Sequence, residues 1–180
     1  MSLFAQRIRP KDLQMARSER FLTHPWDIPK HPGRAYLKAR FLIQEAGWGF
    51  KSQNTGTRFS RMFTVTMNHN IWLSESWEEY PVWKKAMILW HELVHIRQRQ
   101  EWGHTRFLLR YMTPRGRWAI EVPAYRMSIR VCERLSQGEF NSTAYIHKKI
   151  NSFRQNYRLQ LINYPQYKTE TLIIWNYEKI

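Results

Sequence analysis

The sequence predicts an α+β fold that is rich in helices and contains a small antiparallel sheet. Two long stretches, residues 82–100 and 117–135, place apolar side chains at helical spacing and predict the main helices. Residues 61–67 alternate in the manner of a strand, and residues 71–73 predict its partner, with residues 68–70 as the turn between them. Helices combined with an antiparallel strand pair are typical of the α+β class.

The chain before these strands is predicted to be irregular and partly helical. Residues 3–21 form a basic helix candidate, and residues 23–33, which contain three prolines, predict an extended loop. Residues 35–46 predict a second helix, because apolar residues recur along it and glycines follow it directly. The Asn-Thr-Gly sequence at residues 54–56 predicts a turn.

The helix over residues 82–100 has recognisable signals at both ends. Residues 76–79, Ser-Trp-Glu-Glu, fit a capping box, and Pro81 is expected near the first helical position. Gly103 is expected to stop the helix, since glycine readily takes the left-handed conformation that ends helices. A shorter helix is predicted over residues 105–111.

The later part of the chain is predicted to be mixed. Pro114 is expected to break the chain before the helix at residues 117–135. Pro123 lies within that helix, where it either occupies the first turn or produces a kink. Residues 142–157 are a further helix candidate, and residues 171–175, Thr-Leu-Ile-Ile-Trp, predict a strand.

The composition suits one compact domain with a strong positive charge. The chain has 180 residues, of which 43% are hydrophobic, and 29 Lys and Arg against 14 Asp and Glu give a net charge of +15. No apolar run reaches the ~18 residues that a membrane span needs, and residues 1–10 lack the apolar centre of a signal peptide. The single Cys132 excludes an intramolecular disulfide framework and a cysteine-rich zinc site. These features predict synthesis in the cytoplasm.

The segment His91-Glu92-Leu93-Val94-His95 predicts a zinc site. Residues four apart lie on one face of a helix, so the imidazoles of His91 and His95 can converge on one ion. A catalytic zinc uses three protein ligands and a water. Glu92 is offset around the helix, so we expect its carboxylate to reach the zinc-bound water and accept its proton.

The third zinc ligand is predicted to be Glu121, although two other residues remain open. A carboxylate between Ile120 and Val122 is costly to bury unless it is paired or bound to a metal. Glu101 and His104 are the alternatives, and both lie close to the motif helix in sequence.

An aromatic residue is predicted to complete the site. Tyr125 lies four residues after Glu121, so its hydroxyl can stabilise a tetrahedral oxyanion beside the metal. A tyrosine that packs in the core, with its hydroxyl at the edge of the core, explains the same position equally well. Tyr111 is a second candidate for this role.

The motif and its surroundings resemble the gluzincin branch of zinc metallopeptidases, and in more detail a group of small, poorly characterised bacterial and phage HExxH proteins. The resemblance covers about residues 62–130. It rests on four segments, which read His-Glu-Leu-Val-His-Ile-Arg-Gln at 91–98, Glu-Trp-Gly at 101–103, Phe-Leu-Leu-Arg-Tyr at 107–111 and Ile-Glu-Val-Pro-Ala-Tyr at 120–125.

The resemblance implies a zincin-like core over about residues 62–135, with extensions at 1–60 and 136–180. It also implies His91, His95 and Glu121 as the zinc ligands and Glu92 as the general base. A strand that precedes the motif helix would border the cleft as an edge strand and pair with an extended substrate. The resemblance assigns this substrate-binding role to Ile71 and Trp72.

Three functions are compatible with these features. The first is a zinc-dependent metallopeptidase, acting on a peptide or protein, on a peptidoglycan cross-link or on itself. The second is a virion or assembly protein of a phage that uses the zincin scaffold for interaction, which would make an oligomer or a larger assembly. The third is a basic protein that binds a polyanion such as nucleic acid, anionic lipid or an acidic protein. Six arginines near the motif favour the third: Arg97, Arg99, Arg106, Arg110, Arg115 and Arg117.

Overall fold

The computed structural model describes residues 27–138, 140–141, 144–145 and 148. Over these residues the chain forms helices and one small sheet, which confirms the α+β class. In order, the elements are α1 (Pro32–Glu45), β1 (Gly49–Ser52), α2 (Arg58–Met62), β2 (Val65–Met67), β3 (Asn70–Leu73), a 3-10 helix (Glu75–Glu79), α3 (Val82–Trp102), α4 (His104–Tyr111) and α5 (Pro114–Leu135).

Helix α3, which carries the histidine motif, lies at the centre of the fold. It packs between α1 and α5, and these are the most extensive contacts between helices. Trp90 is fully buried on α3, and its indole Nε1 donates a hydrogen bond to the carbonyl of Ala35 on α1 at 3.1 Å. The main hydrophobic core therefore includes α1, which precedes the predicted zincin-like core at about 62–135 in the chain.

Two helices begin earlier than the sequence predicted, and each has a proline at its start. In α1 the side chain of His31 caps the first turn by accepting from Gly33, so the end of the predicted loop at 23–33 is helical. In α5 the side chain of Thr113 plays the same part, and Pro114 opens the helix instead of breaking the chain. Pro123 therefore lies inside α5 and not in its first turn.

The start of α3 differs from the predicted capping box, while its end is confirmed. Residues 75–79 form the 3-10 helix, so Ser76 lies inside an element and caps nothing. Pro81 is the N-cap of α3, one position before the helix. Gly103 ends the helix with a φ of 77°, a left-handed value that side chains disfavour.

The sheet has three strands in the order β1-β3-β2. The predicted antiparallel pair is confirmed as β2 and β3, joined by a two-residue turn in which Asn68 and His69 both have positive φ. The first strand is shorter than the predicted 61–67, because α2 occupies the chain as far as Met62. β1 pairs in parallel with β3 and was not predicted.

Several predicted elements fall wholly or largely outside the described residues. These are the helix at 3–21, the strand at 171–175 and most of the helix at 142–157, of which Ala144, Tyr145 and Lys148 are described and helical. In the part of the chain that the structure describes, none of the helices is both long and apolar enough to cross a membrane.

The junction between α4 and α5 depends on Gly116. A Cβ atom added at this position would lie 1.9 Å from the carbonyl oxygen of Arg110, which belongs to the backbone of α4. We expect Gly116→Ala to lower the free energy of unfolding by about 1–3 kcal/mol through overpacking. Chemical denaturation measures this change. Gly33→Ala is the matched control, because its Cβ would meet only the movable His31 side chain; equal stability of the two variants would contradict the tight junction.

Candidate metal centre

Three potential metal ligands from two helices meet in the interior of the fold. His91 and His95 lie one turn apart on α3, and Glu121 faces them from α5. The Nε2 atoms of the two histidines are 3.1 Å apart, and Oε2 of Glu121 lies 3.5 Å from the first and 3.7 Å from the second. Among the His, Cys, Asp and Glu side chains in the described part of the chain, these three form a group that could hold a metal ion.

The imidazole of His91 is held by Ser128 on α5. Ser128 donates its hydroxyl hydrogen to the carbonyl of Ala124 at 3.2 Å. The same hydroxyl oxygen lies 3.1 Å from Nδ1 of His91 and can accept a hydrogen bond from it. In the tautomer with the proton on Nδ1, the lone pair of Nε2 points into the cluster.

The imidazole of His95 is held in the same way by Gln98. The amide nitrogen of Gln98 donates to the carbonyl of Ile120 at 2.9 Å, which fixes the orientation of the amide. Its oxygen lies 3.1 Å from Nδ1 of His95 and accepts from it. Both histidines therefore present Nε2 to a common point, an arrangement that supporting residues produce around metal-binding imidazoles.

The buried charges of the cluster stabilise each other. Burial by itself lowers the pKa of His95, but Glu121, Glu92 and Gln98 together raise it from 6.5 to about 9. Burial by itself raises the pKa of Glu121, but the two imidazoles hold it well below its usual value. In the metal-free protein a positive charge on His95 therefore offsets the carboxylate of Glu121, and a metal cation can take the place of that proton.

The stability of the metal-free protein is expected to decrease as the pH rises from about 6.5 towards about 9. The pKa of His95 is higher in the folded state than in the unfolded state, so its contribution is complete below pH 6.5 and is lost as the pH rises through about 9. Thermal unfolding in the presence of a chelator measures this dependence. The variant His95→Gln should lack that part of it, and parallel profiles for the two proteins would contradict the assignment.

Glu92 lies beside the cluster and is held by the sheet. It is buried, and its Oε2 accepts a short hydrogen bond from the hydroxyl of Thr66 on β2. Arg99, two turns further along α3, donates from Nη2 to the carbonyl of Thr66 at 3.0 Å. β2 is therefore tied to the motif helix at two points, and Glu92 is directed towards the same cavity as the three ligand residues.

A cavity of about 590 Å³ opens over the cluster. His91, His95, Glu121 and Glu92 form its polar end, and apolar side chains from α2, β2 and α4 form much of the rest. Tyr125 lines this cavity as well, with its ring centroid 4.7 Å from that of His91. The cavity gives a small molecule or an extended chain access to the ligand residues.

Tyr111 also lines the cavity, from α4, and packs against Phe107 at a centroid distance of 6.3 Å. The structure therefore brings both tyrosines that the sequence singled out to one cleft. Tyr125 is the nearer to the cluster, since it contacts a histidine of the motif directly.

The strand that borders the cleft is β2, not β3. β3 lies at the centre of the sheet and pairs with a strand on each side. The expectation that Ile71 and Trp72 form an edge strand for substrate is therefore wrong, and Ile71 is a fully buried core residue. Among the strands that the structure describes, β2 is at the edge of the sheet, and Val65, Thr66 and Met67 line the cavity.

The alternative third ligands lie away from the cluster. Glu101 and His104 are exposed near the end of α3 and the start of α4, and neither belongs to the three-residue group. The arginines near the motif differ in their surroundings. Arg99 lies over the Phe107 ring at 4.6 Å, and Arg110 lies over the Trp102 ring at 4.4 Å.

Sequence reasoning missed four residues of the site: Thr66, Gln98, Arg99 and Ser128. Gln98 and Ser128 could have been found from helical spacing, since Gln98 is seven residues after His91 and Ser128 is seven after Glu121. Thr66 had no such signal, because its contact with α3 depends on how the sheet packs.

Removing the hydroxyl of Ser128 is expected to weaken metal binding by about 10- to 100-fold. Ser128→Ala leaves Nδ1 of His91 without its acceptor, so the ring orientation and the protonated nitrogen are no longer fixed. Competition with a chelating dye measures the affinity. Ser136→Ala is a control, since Ser136 is also buried but lies beyond the end of α5; an equal loss in both variants would contradict a specific role.

Comparisons with known proteins found no relative of this chain. No protein-family model, curated protein or solved structure matches the chain. The assignment of a function therefore depends on the geometry of the cluster and its cleft.

Proposed function

We propose that this protein is a zinc-dependent metallopeptidase that hydrolyses peptide bonds in the cleft over His91, His95 and Glu121. The observation that carries the proposal is the placement of a buried carboxylate, Glu92, beside a two-histidine, one-carboxylate cluster in the lining of a cavity. A structural metal site has no need of the extra carboxylate or of the cavity.

The dimensions and the donors of the cluster fit zinc. A tetrahedral ion with bonds of about 2.0–2.1 Å places its ligand atoms about 3.3 Å apart. The three separations in the cluster are 3.1, 3.5 and 3.7 Å, so small side-chain movements would bring the atoms to this geometry. Two imidazoles and one carboxylate with an open fourth position are typical of catalytic zinc, whereas structural zinc sites are closed by a fourth protein ligand.

Glu92 is the general base of the proposed reaction. A bound zinc ion would supply Lewis acidity, which lowers the pKa of water and polarises the peptide carbonyl. The hydrogen bond from Thr66 engages Oε2 of Glu92 and leaves Oε1 to accept a proton from the attacking water. The protonated carboxyl group then donates that proton to the leaving amine, so the carboxylate is regenerated and the proton count balances.

Tyr125 is the proposed stabiliser of the oxyanion. Its ring lies against His91 and lines the cavity, so we place its hydroxyl near the carbonyl that is attacked. A phenolic donor in a partly buried site stabilises developing negative charge more strongly than water does. Tyr111, which lines the same cavity from α4, remains the alternative donor.

The edge of β2 is the proposed docking site for the substrate backbone. Met67 and Asn70 flank the two-residue turn, so they form a hydrogen-bonded pair. Hydrogen-bonded and non-hydrogen-bonded pairs alternate along an antiparallel ladder, so the backbone N–H and carbonyl of Thr66 are directed away from β3. The carbonyl of Thr66 already accepts from Arg99, and its N–H is directed to the same side, where no described strand pairs with β2. An extended peptide can add to this edge by backbone hydrogen bonds.

The proposal is tested by incubating the purified protein with a diverse mixture of unstructured peptides and identifying products by mass spectrometry. We expect cleavage with zinc, loss of cleavage with a chelator and recovery when zinc is restored. Peptidoglycan fragments, and the intact mass of the protein itself, are examined in parallel for the other possible substrates. Zinc binding without cleavage of any of these substrates would contradict the proposed peptidase activity. It would favour the alternative of a scaffold for phage assembly.

A further inference from the structure

Large hydrophobic side chains are exposed around the mouth of the cleft. We call this feature the rim, and we define it by Phe59, Met62 and Phe63 at α2 together with Leu108, Leu109 and Met112 at α4. Phe59, Phe63 and Leu108 also line the cavity, so both halves of the rim border it. Such a concentration of exposed apolar groups is unusual on a surface that contacts only water.

The exposure is strongest where α4 ends. Leu109 is 65% exposed and Met112 is 76% exposed, so neither side chain contributes much to the core. Within the described residues, the exposed large hydrophobic residue that lies neither on α2, β2 or α4 nor directly after one of them is Val82, at the opposite end of α3 from Gly103. The apolar surface is therefore located at the cleft and is not scattered over the fold.

Arginines accompany the apolar side chains on both halves of the rim. Arg58 and Arg61 lie on α2, and Arg106 and Arg110 lie on α4, while neither helix contains an Asp or Glu. The nearby Glu75 accepts from the backbone of Thr55 and Gly56 and lies 3.7 Å from Nε of Arg61, so it offsets the charge of one of these arginines and leaves the other three. The rim is thus apolar and basic together, and α4 has the character of a basic amphipathic helix.

We propose that the rim docks the mouth of the cleft on a membrane surface that contains anionic lipid. The exposed side chains would enter the boundary between headgroups and acyl chains, and the arginines would extend their guanidinium groups to lipid phosphates. This is peripheral binding, since the contact involves two short helices and no membrane span. The two interactions reinforce each other, because anionic headgroups attract the arginines to the surface that the apolar groups enter.

The charge of the chain argues against the other occupants of this surface. In a symmetric contact between two copies, the arginines of one rim would face those of the other. The two terminal segments outside the described residues each contain more Lys and Arg than Asp and Glu, so they too would be repelled. A nucleic acid would match the arginines, but it would leave Leu109 and Met112 without an apolar partner.

Docking at the rim has a consequence for the substrate, and this consequence alone rests on the proposed peptidase function. A cleft whose mouth lies against the lipid surface would receive peptide segments that emerge from the membrane or lie along it. Binding to lipid itself requires no cleavage. The two proposals can therefore fail separately.

The test is co-sedimentation of the full chain with vesicles of pure phosphatidylcholine and with vesicles of equimolar phosphatidylcholine and phosphatidylglycerol. We expect binding to the anionic vesicles and little binding to the neutral ones. The double variant Leu109→Gln/Met112→Gln should bind at least about tenfold more weakly. The variant Arg106→Gln should bind about fivefold more weakly, since one cation near an anionic surface contributes about that factor.

Matched substitutions away from the rim distinguish docking through the rim from a general attraction of anionic vesicles to a basic protein. Val82→Gln removes an exposed apolar side chain at the far end of α3, and Arg34→Gln removes an exposed arginine on α1. Both should bind vesicles as the wild type does. Unfolding temperatures establish that the variants are folded.

Three results would overturn the proposal. The first is no binding to anionic vesicles, and the second is equal weakening by the rim substitutions and their controls. The third is dimerisation through the rim: light scattering would show a dimer of the wild type, and Leu109→Gln/Met112→Gln would be a monomer. Cleavage of soluble peptides is measured separately and tests the peptidase proposal alone.

Discussion

Glu92→Gln is expected to retain zinc and to lower kcat/KM for peptide cleavage by about 10²- to 10⁴-fold. The amide keeps the size of the side chain and can still accept from Thr66, so the packing of α3 against β2 should persist. It cannot take a proton from the attacking water at neutral pH. The rate of cleavage and the zinc content are measured on the same preparation.

The matched control is Glu101→Gln, which makes the same substitution at an exposed position on the same helix. Its activity and zinc content should equal those of the wild type. If Glu92→Gln cleaved as fast as this control, Glu92 would not be the general base, and the role of the buried carboxylate would have to be structural.

Glu121→Ala is expected to weaken zinc binding by more than about 100-fold, a loss larger than that caused by removing a supporting residue. The substitution removes the oxygen donor and leaves the two imidazoles of α3 as the protein ligands. Calorimetric titration with zinc measures the affinity. The same loss should appear in thermal unfolding, because zinc at about 100 times its Kd stabilises the wild type by about 2.7 kcal/mol and should stabilise the variant far less.

The control for this substitution is Glu133→Ala, an exposed glutamate further along α5. It should bind zinc with the affinity of the wild type. Unfolding of the metal-free proteins by denaturant establishes whether Glu121→Ala still folds, since removing one partner of a buried ion pair is itself destabilising. A folded Glu121→Ala protein with unchanged zinc affinity would exclude Glu121 as a ligand.

The local part of the site could be predicted from the sequence. The spacing of His91 and His95 on a helix determines that both face one side, and the structure places their Nε2 atoms 3.1 Å apart. Glu121 was the preferred third residue, because a carboxylate between apolar neighbours needs a partner. The choice among Glu121, Glu101 and His104 could not be completed, since it depends on how α5 crosses α3.

The sheet was harder to predict than the helices, and the substrate edge was assigned to the wrong strand. β1 has the sequence Gly-Phe-Lys-Ser, which contains no β-branched residue, and its parallel partner is distant in the chain. Without β1, the segment that contains Ile71 looked like one of two edge strands. Adding β1 moves Ile71 to the centre of the sheet and leaves Thr66 on the edge beside Glu92.

Helix boundaries were wrong where a proline was taken as a break. Pro32 and Pro114 each occupy the first turn of a helix, where the missing N–H has no partner to lose. The preceding residues, His31 and Thr113, supply the capping groups. Histidine is an uncommon cap, so the signal for a helix start was weak at the first of these sites.

The most direct test of the metal centre is anomalous diffraction at the zinc absorption edge from crystals grown with one equivalent of zinc. We expect one strong peak within about 2.0–2.2 Å of Nε2 of His91, Nε2 of His95 and a carboxylate oxygen of Glu121, with a fourth position open to the cleft. A peak elsewhere in the chain, with this cluster free of metal, would contradict this expectation.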